Sequence, residues 1–207
     1  MELVVSRFAL IGNHLSLDFA NTVHAKGSPV DVMTSLEEAF EFLLDAKIFS
    51  PAEIVQARRD AELRPDEAQS FFATARRLRG YLREWLAGIE THAPVATDLI
   101  EMINGILASQ CVADRLTLQE GRWIMESVPS ERRLVHLLVP IARSAAQLIA
   151  QGPDVPVRKC GNPKCPLYFY DTSRNKLRRW CSMSSCGNLH KVKAHLARRS
   201  TVVSNKA

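Results

Sequence analysis

The sequence predicts a mostly helical α+β protein, in which a helical body with two small β-hairpins is followed by a small cysteine-bearing module of one β-hairpin and one helix. Apolar residues recur at helical spacing through much of the first 150 residues. The balance of charge changes sign near residue 150, and four of the five cysteines lie between residues 160 and 186. A joint change in charge and cysteine content is typical of a boundary between two structural parts.

The charge is distributed very unevenly along the chain. Residues 1–150 contain 15 Lys and Arg against 20 Asp and Glu, whereas residues 151–207 contain 12 against 2. We therefore divide the chain into an acidic body (1–152), a basic finger (153–200) and a short tail (201–207), which we expect to be disordered. A strongly basic segment favours an anionic polymer as its partner.

Composition also bears on the compartment. No apolar stretch is long enough to span a membrane, and the first 20 residues lack the basic start and unbroken apolar stretch of a signal peptide. We therefore expect a cytoplasmic protein with no membrane partner. In a reducing compartment, cysteines serve as metal ligands or buried thiols more often than as disulfides.

The body begins with a predicted β-hairpin. Leu15, Leu17 and Phe19 alternate with polar residues, which is the period of a strand, and Gly12-Asn13 is a turn signal. A second hairpin is predicted across residues 115–125, where Glu120-Gly121 separates two alternating runs.

Helices account for most of the remaining body. Ser35 with Glu38, and Ser50 with Glu53, form capping boxes that start two of them. Apolar spacing predicts three more, over residues 66–89, 95–107 and 134–148, the last with a kink at Pro140. Arginines in the first of these three lie off its apolar stripe, which favours a solvated face over an anion site; they are Arg76, Arg77, Arg79 and Arg83.

No combination of residues in the body indicates catalysis, and we expect the protein not to be an enzyme. Asp18, Asn21 and His24 are close in sequence and are the candidate lining of a ligand pocket. The alternative is that Asp18 caps or pairs locally and Asn21 fixes a turn.

The finger contains two cysteine pairs. Cys160 and Cys165 are separated from Cys181 and Cys186 by fifteen residues, and each pair suits one tight metal-binding knuckle. Four thiolates complete a tetrahedral shell around one Zn²⁺ with no open position, so the predicted site is structural. Disulfides and free thiols are the alternatives, and His190 and His195 are possible substitute ligands.

The rest of the finger predicts a treble-clef-like order of knuckle, hairpin, knuckle and helix. Tyr168–Tyr170 has strand character, and residues 178–180 return the chain to the second knuckle. The helix that follows has its apolar side at Leu189, Val192 and Leu196. We expect the body and the finger to have separate cores, with zinc supplying the stability that so small a module lacks.

These residues resemble a known pair of domains. The segment Cys160-Gly-Asn-Pro-Lys-Cys165 and the later Cys186-Gly-Asn188 resemble the CGNR zinc finger, and Gly12-x-x-Leu15-x-Leu17-Asp18-Phe19-x-Asn21 resembles the ABATE domain of stress-induced transcription regulators. The resemblance implies zinc on the four cysteines and DNA binding by the finger. The arginine of the CGNR motif is replaced here by Leu189.

The sequence therefore predicts a DNA-binding transcription regulator whose body senses a ligand or mediates association. Its expected partners are duplex DNA, a small-molecule effector and a second copy of the chain. The alternative is a zinc-stabilised protein-interaction module, or an RNA binder whose Tyr168–Tyr170 aromatics stack on bases. The candidate nucleic-acid contacts are Arg174, Lys176, Arg178, Arg179, Lys191, Lys193, His195, Arg198 and Arg199.

Overall fold

The computed structural model describes residues 7–25, 29–110, 112–129, 133–193 and 195–196. Within these residues the body contains the α-helices α1 (Leu15–Ala20), α2 (Leu36–Asp45), α3 (Pro51–Leu63), α4 (Pro65–Ala87), α5 (Thr97–Ala108) and α6 (Val139–Ile149). Its strands pair as two antiparallel hairpins, β1 (Val23–Ala25) with β2 (Pro29–Asp31) and β3 (Val112–Gln119) with β4 (Arg122–Pro129). In this part of the chain no helix is both long enough and apolar enough to cross a membrane.

Both predicted capping boxes are present. The Ser35 hydroxyl accepts a hydrogen bond from the Glu38 amide at 3.3 Å, and the Glu38 carboxylate accepts one from the Ser35 amide at 2.9 Å. Ser50 and Glu53 repeat this arrangement at the start of α3, with Pro51 as the first helical residue. Each box satisfies two amides that the helix itself leaves unpaired, which fixes where α2 and α3 begin.

The longest helix, α4, lies at the centre of the body. Its apolar stripe, including Phe71, Leu78 and Leu82, is buried against the other helices. The expectation of a solvated arginine face is wrong for two residues. The Arg79 guanidinium is buried and bonds both carboxylate oxygens of Asp31 at 2.7 and 2.6 Å, and Arg83 donates to a backbone carbonyl of α1 at 3.0 Å.

The hairpin predicted around Gly12 is absent, and α1 stands in its place. The alternation of Leu15, Leu17 and Phe19 was misleading, because this short helix is buried on several sides and even Ser16 is inaccessible to solvent. A helix enclosed in this way loses the polar face that normally identifies its period. The first hairpin lies further along the chain, as β1 and β2.

Two further helices and the second hairpin of the body are confirmed, whereas the predicted kinked helix over residues 134–148 is corrected. Helices α4 and α5 cover the expected ranges, and β3 and β4 meet at Glu120-Gly121. Residues Leu134–Leu138 form a 3₁₀ turn, and Pro140 lies in the first turn of α6. The proline therefore marks a change of helix type, since its ring is compatible with a first turn but not with a helix interior.

The finger begins with strand β5 (Val157–Lys159), which pairs with β6 (Tyr168–Tyr170) around the first knuckle. This corrects the predicted hairpin, because residues 178–180 form no strand with β6. The π-helical turn Met183–Gly187 follows and continues as α-helix over residues 188–193 and 195–196. The tail, residues 201–207, lies outside the described residues.

The expectation of separate cores is wrong. Val155, Val157 and Tyr168 belong to the finger in sequence but are buried in the core of the body. In return, Ala9 and Ile11 pack against the small cluster that surrounds the cysteines. Body and finger are therefore joined by exchanged apolar side chains.

Candidate metal centre and basic surface

The first knuckle is shaped by a tight turn between β5 and β6. The Cys165 amide donates to the Asn162 carbonyl at 2.8 Å, and the Asn162 side chain accepts from the Lys164 amide at 3.2 Å. A side chain at Gly161 would meet the Arg179 carbonyl at 3.1 Å, so the second half of the finger passes close to this turn. These contacts hold Cys160 and Cys165 on one side of the loop.

All four finger cysteines converge on one point. Their Sγ atoms lie within 4.8 Å of one another, and those of Cys165 and Cys181 are 3.7 Å apart. A tetrahedral Zn²⁺ with Zn–S bonds of about 2.3 Å requires sulfur–sulfur distances of about 3.8 Å. Two N–H groups also point at the sulfurs: the Cys181 backbone amide donates to Cys160 Sγ and the Asn162 side-chain amide donates to Cys186 Sγ, each at 3.4 Å. The four cysteines form a structural zinc site.

The ionisation of the thiols explains why the cluster needs a cation. The pKa of Cys160 is lowered, chiefly because the Cys165 and Cys181 thiols donate hydrogen bonds to it. The pKa values of Cys165 and Cys181 are raised, because each would have to give up the proton that it donates. Four thiolates therefore coexist here only when a metal ion balances their charge.

The family comparison agrees with this geometry. Residues 13–152 match the model of ABATE, described as "Putative stress-induced transcription regulator", and this match covers more than half of the chain. The chain belongs to the ABATE family. Residues 157–199 match the CGNR zinc finger, in the expected order after the body. No curated protein matches the chain.

The ABATE motif residues attach the finger to the body. The side chain of Asn21 donates to the Tyr168 carbonyl at 2.7 Å and accepts from the Tyr168 amide at 2.9 Å, both in a buried environment. Asp18 accepts from the Gly12 amide at 2.7 Å, and the Gly12 carbonyl accepts from the Tyr170 amide at 2.7 Å. The segment around α1 therefore completes the hydrogen bonding of β6.

The structure places the predicted pocket residues Asp18 and Asn21 in different surroundings. Asp18 lines a shallow cleft of about 430 Å³ next to Asn13 and His14, and burial raises its pKa to about 6. Asn21 is fully occupied by the finger, and the side chain of His24 is outside the described residues. An effector site formed by Asp18, Asn21 and His24 stays a prediction.

Sequence reasoning missed a second cavity in the body. It has a volume of about 420 Å³ and lies between α3 and α6, with apolar walls that include Leu137. Its charged lining includes both arginines and carboxylates: Arg133, Arg143, Glu53 and Asp60. Its lining comes from segments that are distant in sequence, so no local motif could have predicted it.

Two of the predicted nucleic-acid contacts, Lys176 and Arg178, also bond to neutral groups within the finger. Lys176 donates to the Asp171 carbonyl at 2.7 Å. The Arg178 guanidinium lies 4.2 Å from the centre of the Phe169 ring and donates to the carbonyls of Trp180 and Cys181. Arg198 and Arg199 lie outside the described residues, and the exposed candidates are Arg174, Lys176, Arg179, Lys191, Lys193 and His195.

Beyond Asp154 at its start, the finger carries no exposed carboxylate on its described residues. Asp171, the only acid between residues 155 and 207, is buried and accepts hydrogen bonds from the Ser173 and Arg178 amides at 2.9 and 3.0 Å. Burial alone raises its pKa, but these bonds and the nearby Arg158 outweigh that effect and hold the pKa below its usual range. Exposed Lys159 and Lys164 add to the positive surface and were missing from the predicted contacts.

The C-terminal helix differs from its prediction. Leu189, Val192 and Leu196 were expected to pack together as an apolar side, but all three are exposed. Every described residue from 188 to 196 is exposed, so the helix buries none of them in the core of the finger, although Leu189, His190 and Lys193 line a small cleft beside Trp180. His190 is not a zinc ligand in this arrangement, since its ring lies 4.6 Å from that of Trp180.

Proposed function

We propose that the protein is a DNA-binding transcription regulator in which the zinc-folded finger grips the phosphate backbone of duplex DNA. The observation that carries the proposal is the buried and paired Asp171, which leaves the described residues from 155 to 196 with exposed positive charges and no exposed carboxylate. Such a surface attracts polyanions and releases their counterions on binding.

The two groups of predicted basic residues meet at Trp180. The Arg179 guanidinium lies 5.4 Å from the centre of the Trp180 ring, and Trp180 shares a small cleft with Lys193 of the helix. This arrangement supports one continuous contact surface, with the return segment and the helix on either side of the ring. Phosphate contacts of this kind position a protein on DNA without reading its sequence.

The salt dependence of binding tests this proposal on the full zinc-loaded chain. If four to six phosphates are neutralised, log K falls against log salt with a slope of about −4 to −5. The double variant Lys191→Gln/Lys193→Gln is expected to flatten that slope by about two units. A matched control, Arg76→Gln/Arg77→Gln, removes two exposed charges from α4 of the body and leaves the slope unchanged.

The same titration decides between the two candidate functions. Absent or salt-independent binding to duplex DNA at low ionic strength overturns the proposal in favour of a protein-interaction module. Preferential binding of single-stranded RNA overturns it in favour of an RNA binder. Leu189→Arg sharpens the result, because position 189 is exposed and an added charge there is expected to steepen the slope by about one unit.

Ligand sensing by the body is the second part of the proposal. The cavity between α3 and α6 supports it, because apolar walls together with Arg133 and Arg143 suit a small organic anion. The carboxylates of Glu53 and Asp60 also line it, but they are engaged by Ser50 and Arg64 respectively. A thermal-shift series with benzoate and octanoate tests this, with Arg143→Gln as the variant expected to lose the stabilisation. Equal shifts in both proteins, or none in either, would refute a ligand site here.

A further inference from the structure

The hairpin β3–β4 stands apart from the rest of the fold. Its strands are eight residues long and pair from Val112 with Pro129 to Gln119 with Arg122. Among the described residues, neither strand packs extensively against any other element, and residues 114–127 are exposed except for two that are half-buried. An isolated two-stranded hairpin is marginally stable in water. We call this element, residues 112–129, the arm.

One face of the arm is entirely apolar in its outer half. Leu116 pairs with Met125 and Leu118 pairs with Trp123, so these four side chains lie on the same face. They are 65, 74, 58 and 69% exposed, respectively. The opposite face carries polar groups around Ile124. Soluble proteins rarely expose four large apolar side chains together without a partner for them.

We infer that the apolar face of the arm is a dimerisation surface that packs against the same face of a second copy of this chain. The outer half of this face carries no charge and Asp114 on its inner half is negative, so the face offers nothing to a nucleic acid or to an acidic peptide. A two-fold axis, by contrast, places identical flat apolar faces against each other, and face-to-face sheets pack in this way about 10 Å apart.

The size of the face sets the strength of the dimer. An exposed aromatic side chain can bury about 150–250 Å², so the four residues together offer on the order of 500 Å² per chain. Two such faces bury on the order of 1,000 Å², which is the lower limit for a specific interface. The expected dimer is therefore reversible, with a Kd in the micromolar range.

Sedimentation velocity of the full zinc-loaded chain, from about 1 to about 300 µM, tests the inference. The wild type is expected to change from monomer to dimer across this range. Trp123→Thr keeps a good strand former but removes the largest side chain of the face, and it is expected to raise Kd about thirtyfold or more. Ile124→Thr makes a comparable change on the opposite face and is expected to leave Kd within about threefold.

Two results would overturn the inference: a wild type that stays monomeric to the highest concentration, or equal effects of Trp123→Thr and Ile124→Thr. Fluorescence separates the packing mode from pairing at strand edges. The emission of Trp123, isolated by subtracting the spectrum of Trp123→Phe, is expected to move to shorter wavelength as the concentration rises. An unchanged emission during dimerisation would show that another surface forms the contact. The inference does not rest on DNA binding.

Discussion

Two hairpins of the molecule, the arm and the finger hairpin β5–β6, are stabilised in opposite ways. The arm has eight-residue strands, a two-residue turn and few contacts beyond itself. The finger hairpin has strands of only three residues, yet Phe169 at its centre is fully buried. From strand length alone, the longer hairpin would be expected to be the more buried of the two. The comparison shows that the finger hairpin is held by its surroundings, zinc on one side and the body on the other.

Successive side chains of β6 pack into different parts of the molecule, which explains how this short hairpin is held. Phe169 points into the cluster that surrounds the cysteines, whereas Tyr168 is buried in the core of the body. The ring of Tyr170 lies 6.0 Å from that of His14, and its hydroxyl donates to Gln151. A three-residue strand therefore takes part in two cores at once. The following predictions remove these supports one at a time and use the arm as an internal reference.

Loss of zinc is expected to have the largest effect. Cys181→Ser removes one of four ligands and is expected to abolish zinc binding, which unfolds the finger. Because Val157 and Tyr168 are in the core of the body, the body is also expected to lose about 3 kcal/mol or more. Zinc analysis and hydrogen exchange measure both effects, with protection lost at β5 and β6 and retained at the arm.

Cys111→Ser is the matched control for this experiment, since Cys111 is the one cysteine outside the two pairs. It is expected to keep one zinc per chain. A Cys181→Ser protein that keeps its zinc would contradict the four-cysteine site. One whose body melts at the wild-type temperature would contradict the shared core.

Cutting the link between the body and β6 is expected to have the next largest effect. Asn21→Ala leaves the buried amide and carbonyl of Tyr168 without partners, which costs about 2–4 kcal/mol. Urea denaturation measures the loss. Asn13→Gly is the control, because Asn13 donates only exposed hydrogen bonds, to the Tyr170 carbonyl at 3.2 Å and the Thr172 hydroxyl at 3.5 Å. Glycine also tolerates the φ of +57° at this position, so the substitution is expected to cost less than about 1 kcal/mol. Equal losses would refute the buried link.

Much of this fold follows from local sequence signals. The capping boxes of Ser35 and Ser50, the period of α4, the turn at Glu120-Gly121 and the spacing of the cysteines each predicted a feature that the structure contains. These signals are strong because the physical cause lies within a few residues of the pattern, as with a cap and its helix.

The remaining features depend on distant contacts. Helix α1 was predicted as a strand because it is buried on several sides, and its Asn21 flank has a partner 147 residues away. Strand β5 contains Arg158 and Lys159 and is too short to show a period. The zinc site could be located from spacing alone, whereas the way in which the finger docks could not, because it is set by the tertiary fold.

The pH dependence of stability tests the contact next to the Asn21 link, in which Asp18 bonds Gly12 and Gly12 bonds β6. Burial raises the pKa of Asp18 to about 6, so the folded chain holds this proton more tightly than the unfolded chain does. The resulting stability is fully present below about pH 4 and is lost as pH rises through about 6, by up to about 2 kcal/mol. Denaturation from pH 4.5 to 7.5 measures the slope, and Asp18→Asn is expected to flatten it. A slope that Asp18→Asn leaves unchanged would assign the proton to another group.

The smallest expected effect concerns the turn of the arm. Gly121 has φ of +79°, a conformation that a side chain disfavours, although the space around it is empty. Gly121→Ala is therefore expected to cost about 1 kcal/mol through backbone strain alone. Because the arm packs little against other elements, we expect the loss to appear as faster hydrogen exchange within the arm, with the global melting temperature nearly unchanged.

Gly105→Ala separates backbone strain from crowding. Gly105 lies within α5, has equally open space and lacks the positive φ, so alanine there is expected to stabilise the helix by about 0.5–1 kcal/mol. Glycine-to-alanine substitution is thus expected to change the stability in opposite directions at these two positions. Both have open space around them, and the difference is the backbone conformation. If Gly121→Ala instead lowers the global melting temperature as far as Asn21→Ala does, the arm is part of the cooperative core, and the contrast between the two hairpins fails.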